Sequence, residues 1–442
     1  MRIEYVFLIG MAVLFFLALK VKANAFVALI ATALVMGALA GMPGPEIVDA
    51  IATGFSGTVK SIGIVIIFGI MLGNYLEASK GTNKMALDTI RLVGSKRSGL
   101  AMAISGYIVS IPVFSDAGFV ILAPLVKAIA KKSKIPVAIL AVSLSAGLLA
   151  THVYVPPTPG PLAAAGMLGI DIGRAIIYGG FAAILMTAFG WIFAELYFRN
   201  KPESFYAYRE EEAVQPEAEI DEKNLPGSFV SVFPLIVPIL LIVLNTTCKM
   251  LLPNESPLLA ITSFIGDPNI ALMLGTILAI IFFAKRLGGG KTLKIMDSTL
   301  KDAGPIVFIT ASGGALGQIL KVSGAGDSLA QAVIELGLPF ILIPFVIAGL
   351  LKIVQGSGTV AVVTAATLSA PIGAQLGLDP ILIFMASGAG ARSMCHVNDS
   401  YFWVYTNCMG FDMKTGLKTL SLSNIFMALG GLVATFIAST WL

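Results

Sequence analysis

Long apolar stretches, separated by short charged ones, run the length of the chain. They lie near 3–19, 24–41, 57–78, 135–168, 174–198, 229–251, 268–284, 303–322, 378–410 and 419–441. Most approach or exceed the roughly 20 residues that cross a bilayer core as a helix. Two further regions, 98–130 and 338–372, carry a polar, Gly- and Pro-bearing centre that a simple helix would not place in hydrocarbon. The pattern predicts an all-α polytopic membrane protein, with about ten transmembrane helices plus two re-entrant hairpins.

The first stretch admits two readings. Arg2 followed by an apolar run to Leu19, with Ala23-Asn24-Ala25 beyond it, has the outline of a signal peptide. A cleavage region is uncharged, however, and here it holds Lys20 and Lys22. A second apolar run then begins at Phe26, so a first transmembrane helix is expected.

Basic residues orient the spans. With the loops 20–22, 79–97, 127–134, 199–228, 285–301 and 411–418 on the cytoplasmic side, 22 of the 29 Lys and Arg residues lie inside. Both termini then fall outside. Region 98–130 has Lys96 and Arg97 before it and Lys127, Lys131, Lys132 and Lys134 at its end. Inside-type charge at both ends means that it enters and leaves on one face, as a hairpin with Ile111–Asp116 at its tip. Segment 199–228 is polar and acidic, with Glu210, Glu211, Glu212, Glu217 and Glu219, and is expected to be a flexible cytoplasmic linker.

The two sides of that linker echo each other. Gly69, Leu72, Gly73, Leu76 and Ser79 recur as Gly313, Leu316, Gly317, Leu320 and Ser323, an offset of 244. The two histidines of the chain, His152 and His396, are also 244 apart, and each is followed by valine. Gly169-Ile170-Asp171 is echoed by Gly410-Phe411-Asp412 at an offset of 241. In the charge-derived topology the copies run in opposite directions. Residues 1–198 and 229–442 are therefore expected to be two inverted repeats. The first holds the hairpin 98–130 and a broken helix at 135–168. The second holds the hairpin 338–372, tip Val354–Thr359, and a broken helix at 378–410. Inverted repeats with broken helices place a site at the midplane between them.

Composition supports this class and removes others. The chain is 57% hydrophobic and 12% charged, about half the charge of a soluble domain. A net charge of +4, scattered over loops, gives no nucleic-acid surface. Three cysteines show no disulfide pattern. No cofactor is expected, and His152, His396 and Asp399 lack the local spacing of a metal cluster.

Four polar patches interrupt the apolar sequence: the two hairpin tips, Thr151–Pro161, and Cys395–Ser400. The proline run must break its helix. Half-helix N-termini favour a carboxylate, and freed carbonyls favour a cation. The candidate substrate-binding set is Phe114, Ser115, Thr151, His152, Gly356, Ser357, Gly358, Thr359, His396, Asn398 and Ser400. Glycines let the backbone approach a ligand, and hydroxyls donate without bulk. Intramembrane acids mark function by default, so Asp116 and Asp399 are the candidate ion-coupling residues. Each histidine either contacts substrate or caps freed carbonyls. Lys352 and Arg392 either neutralise a substrate carboxylate or snorkel to the outer surface. Asp171 and Asp412 fit helix N-caps.

At these residues the chain resembles the gluconate permease family of the ion transporter superfamily. The matching strings are Ile111–Phe119, Thr151–Pro161, Gln355–Val360 and His396–Ser400, in the family's order. The resemblance implies a proton symporter for a sugar acid such as gluconate, or for a related hydroxy acid or D-serine, in a bacterial inner membrane. Sodium coupling is the alternative, and a homodimer is an open option. Two departures stand out. Ser115-Asp116 replaces the Phe-Glu frequent in gluconate-type members, and Thr158 replaces a second histidine. Both fall at the expected pocket and point away from gluconate itself, within the carboxylates. Gly324-Ala325-Gly326-Asp327 matches the Gly-x-Gly-Asp string of intramembrane proteases, but that chemistry needs a second, facing aspartate in an adjacent helix, and the expected topology puts Asp327 in an external loop. A channel would need one continuous pore rather than two offset tips.

Overall fold

In the computed structural model, residues 3–21, 23–94, 97–202, 205, 224–253, 255–324, 339–397 and 399–442 are described. The chain is a helical membrane bundle. Among the described residues, seven helices are long and apolar enough to cross a membrane by length and composition: α3 (Gly44–Ala78), the joined pair α7–α8 (Val137–Met167), α9 (Ile172–Phe198), α10 (Ser228–Leu251), α12 (Pro268–Leu287), α13 (Gly289–Val322) and α18 (Met413–Ala438). Shorter helices complete the described part. They are α1 (Ile3–Leu19), α2 (Ala25–Leu39), α4 (Gly81–Val93), α5 (Ser98–Val109), α6 (Ser115–Ser133), α11 (Pro257–Ile265), α14 (Leu342–Gln355), α15 (Gly358–Gln375), α16 (Pro380–Gly390) and α17 (Ser400–Met409).

Two helices begin far earlier than the apolar stretches that announce them. α3 starts at Gly44 rather than 57, and α13 at Gly289 rather than 303. The added turns are amphipathic. Thr292, Ile295 and Thr299 are buried on one face, while Lys291, Lys294 and Asp297 stay exposed. Charge ends an apolar window, but it does not end a helix whose other face is packed. α4 likewise folds inside what reads as a charged loop. It buries Met85, Ala86 and Thr89 and leaves Arg91 in its last turn.

The breaks fall where the sequence places them. α5 and α6 are joined by a turn over 110–114, so Ser115 and Asp116 already sit in the first turn of α6. α14 and α15 meet at Gly356, whose φ of 77° suits glycine, and Ser357 caps α15 by accepting from the Val360 N–H at 3.3 Å. α7 stops at Tyr154 and α8 starts at Pro159, with the prolines between them. α16 stops at Gly390, and a non-helical run leads to the Asp399 cap of α17. Asp171 and Asp412 are both N-caps, accepting from the Arg174 and Thr415 N–H groups at 3.1 and 2.7 Å.

α3 packs along α13, and α7, the most deeply buried helix, packs on α5 and α9. α15 runs between α14, α16, α8 and α13. Repeated glycines make room for these elements. A Cβ on Gly73 would lie 1.8 Å from the Pro112 carbonyl oxygen, so the first hairpin turn rests directly on the α3 backbone. The predicted linker lies mostly in 206–223, outside the described residues, as do Ala325–Asp327 of the Gly-x-Gly-Asp string.

Candidate functional site

A cavity of about 550 Å³ opens where the two hairpin turns meet the two broken helices. Its walls are Phe114–Ala117 of the first hairpin, His152 of α7, Gln355–Thr359 of the second hairpin, and Arg392, Asp399, Ser400 and Tyr401 of the second break. Elements distant in sequence thus converge on one polar space within an apolar bundle.

Three helices begin at this cavity: α6, α15 and α17. An α-helix N-terminus leaves unpaired N–H groups and the positive end of a dipole. α6 carries its own acid there, Asp116, and α17 carries its own, Asp399. α15 carries none. Its first turn, Gly358 and Thr359, faces the cavity with its positive end uncompensated by any acid of its own. His152 stands beside it, with Nε2 3.3 Å from the Thr359 hydroxyl and its ring centroid 5.9 Å from that of Phe114.

The two aspartates differ in their partners. Asp399 is 6% exposed. One carboxylate oxygen pairs with the Lys352 ammonium and accepts from the Cys395 thiol at 3.0 Å; the other accepts from the Tyr401 N–H at 3.0 Å. Lys352 also donates to the Gly356 carbonyl, so this pair ties the second hairpin turn to the second break. Asp116 faces hydroxyls instead. Its Oδ2 accepts from Ser400 at 2.7 Å, a bond that joins the first hairpin to α17.

Lys352 is 0% exposed and Arg392 2%, so neither snorkels to the surface. Arg392 Nη2 lies 1.7 Å from where a Cβ on Gly358 would stand. Only a glycine at the head of α15 lets the guanidinium lie there. Arg392 Nε, His152 Nδ1 and Gln355 Oε1 are buried and have no hydrogen-bond partner among the described residues.

Most of the expected site is brought together: Phe114, Ser115, Asp116, His152, Gly356, Ser357, Gly358, Thr359, Asp399 and Ser400 all line the cavity. Two residues do not join it. Thr151 is buried against the first hairpin and donates to the Tyr107 carbonyl at 3.0 Å. One residue along a helix turns a side chain by about 100°, so Thr151 and His152 cannot share a direction. His396 turns its Nε2 to the Ile353 carbonyl, 2.9 Å away in the last turn of α14, and so sits at a freed helix end. Asn398 lies outside the described residues. Beyond the expected set, Gln355, Arg392 and Tyr401 line the cavity, and Lys352 stands directly behind it. A basic residue inside an apolar stretch was the available signal for Lys352 and Arg392. Gln355 stands in the hairpin tip that the sequence singles out, whereas Tyr401 carries no such signal. No group of three or more His, Cys, Asp or Glu that could hold a metal occurs among the described residues.

A buried polar cavity between helix breaks, enclosed by apolar spans, is the build of a membrane permease. Comparison with known proteins names the kind: a GntP family permease profile matches residues 2–441, and the chain belongs to that family. An uncharacterized permease of Haemophilus influenzae is 38% identical over 438 residues, covering 96% of this chain and 90% of its own. A gluconate permease of Pseudomonas aeruginosa is 32% identical, covering 95% of this chain and 94% of its own. The high-affinity gluconate transporter of Escherichia coli is 31% identical, covering 96% of each. Among solved structures, the YdaH transporter of Alcanivorax borkumensis, described as having an unusual topology, superposes with a TM-score of 0.65 over 90% of this chain and 89% of its own. At 16% identity that likeness concerns the fold alone.

Proposed function

We propose that the protein is a proton-coupled symporter that carries a small organic monocarboxylate, a sugar acid or related hydroxy acid, across a bacterial inner membrane. The observation that carries this reading is the start of α15. It is the one helix N-terminus among the three at the cavity without its own acid, and it opens beside His152 and the Thr359 hydroxyl. An incoming carboxylate completes it as Asp116 and Asp399 complete the other two. The relatives named gluconate permease or transporter support the same substrate class.

A second cavity, about 930 Å³, supports transport rather than static binding. It is lined by Thr53, Ser61 and Gln318, and by the far end of α15 around Pro371. From Thr359 to Pro371 the helix spans about 18 Å. The two cavities thus stand at opposite ends of α15, and α8 fills the space between them, with Gly160 against Thr359 and Val362. Inverted repeats that rock about this region would open the site to one side and then to the other. Asp116, with hydroxyl rather than cationic partners, is the residue assigned to the proton. Asp399, held by Lys352, is assigned to structure, which narrows the pair of acids expected from sequence to one.

The test is uptake by purified protein in liposomes under an imposed proton gradient. Accumulation of a hydroxy monocarboxylate that ceases when the gradient is collapsed is expected. Uptake indifferent to the gradient would remove proton coupling.

A further inference from the structure

We propose that Arg392 holds the substrate carboxylate and that Asp116 surrenders its charge when it does so, so that each monoanionic substrate travels with one proton and no net charge. This rests on the carboxylate reading above and assigns its charges.

Arg392 is buried, lines the cavity, and lies against the head of α15, where a Cβ on residue 358 would strike its Nη2. Its Nε has no hydrogen-bond partner among the described residues. A buried guanidinium is a fork of donors that matches the two oxygens of a carboxylate. Among the acids at the cavity, Asp399 is taken by Lys352 and the Cys395 thiol. Asp116 is the remaining acid in the cavity wall.

The charges can be counted. Lys352 and Asp399 sum to zero whichever of them holds the shared proton. Cys395 donates to Asp399 and is therefore a neutral thiol. Tyr401 donates to the Ser145 hydroxyl and is neutral. A protonated His152 would carry an N–H on Nδ1 with nothing among the described residues to accept it, so the ring is counted as neutral. Arg392 and an ionised Asp116 then balance each other. A carboxylate that pairs with Arg392 would leave the cavity one negative charge in excess. An uncompensated charge is strongly disfavoured away from water. A proton taken from bulk water onto an Asp116 oxygen restores the balance. Both the loaded and the unloaded carrier are then neutral and can reorient.

The experiment uses the full chain in proteoliposomes with three labelled probes, glycerate, threonate and gluconate. Uptake is driven either by a pH gradient or by a valinomycin-clamped potassium potential. A carrier moving one net charge would shift its accumulation ratio about 50-fold per 100 mV. The proposal expects the pH gradient to drive uptake and the potential alone to leave accumulation unchanged. A potential-driven shift near that size overturns it while leaving carboxylate transport standing. Arg392→Gln should raise the KM about 10- to 100-fold, the loss of a charged hydrogen-bonding partner. An unaltered KM overturns the anchoring role. Asp116→Asn should lose the response to the pH gradient and still exchange labelled for unlabelled probe, because its loaded form has the same charge as the wild type. A retained pH response overturns the role of Asp116. Where Arg392→Gln does not purify as a monodisperse protein, the wild-type potential measurement decides. Absence of uptake of all three probes by the wild type removes the carboxylate reading itself, and this proposal with it.

Discussion

The two broken helices occupy matching places in the chain, and their breaks are built differently. The first, between α7 and α8, closes on itself: Thr158 donates to the Val155 carbonyl at 2.6 Å, and residues 155–158 themselves carry no charged side chain. The second, between α16 and α17, carries Arg392 and Asp399 and receives Lys352 from the neighbouring hairpin. Its freed Cys395 carbonyl accepts from Ser421, in a π-helical turn of α18. The histidines follow the same division. His152 lines the cavity beside Thr359, whereas His396 sits at the end of α14. One break shapes the site and the other supplies its charge. Both breaks interrupt a buried helix, and only the second brings charge to the cavity.

The largest effect should come from the charge-bearing break. Lys352→Met leaves Asp399 buried without its cation and should cost about 3–5 kcal/mol, seen as loss of monodisperse protein in detergent. Replacing Thr158 in the neutral break with Val removes a single hydrogen bond and should cost about 1 kcal/mol by thermal unfolding. If the two variants were equally stable, the contrast between the breaks would fail.

Next in size is the pair of histidines. His152→Asn should reduce uptake at least tenfold with protein yield retained, since the ring lines the cavity. His396→Asn should leave the KM within about twofold and lower stability by about 1 kcal/mol, the value of its bond to the Ile353 carbonyl. Substrate-affinity loss in His396→Asn would place it in the site after all.

Gly358→Ala comes third. The added Cβ displaces the end of the Arg392 side chain, and the KM should rise about tenfold, or about 1.4 kcal/mol, with little change in yield. Ser400→Ala is the smallest. Asp116 loses one hydroxyl donor, and the pH dependence of uptake should move while the maximal rate stays within about twofold.

The α7–α8 break and the α14–α15 turn were legible because clustered proline or glycine inside apolar sequence interrupts an α-helix. Gly356-Ser357-Gly358-Thr359 and Val155–Thr158 lie at helix ends accordingly. The cavity lining was legible for the same reason, since broken helices gather polar residues. What stayed hidden depends on distance or direction. Lys352 finds Asp399 47 residues later in the chain, and local spacing does not reveal that partner. Thr151 points away from its neighbour His152 because a helix turns between them, so a motif read as a string overstates what reaches the ligand. The early starts of α3 and α13 were hidden because hydropathy averages both faces of a helix that buries only one.

The central claim, a carboxylate seated at the head of α15, is tested most directly by ligand binding to the purified protein. Thermal unfolding in detergent should be measured with gluconate, threonate and glycerate, and with the matching neutral amides. The account predicts that at least one carboxylate raises the unfolding temperature, that its amide does not, and that Thr359→Val weakens the effect. Equal stabilisation by acid and amide would contradict it.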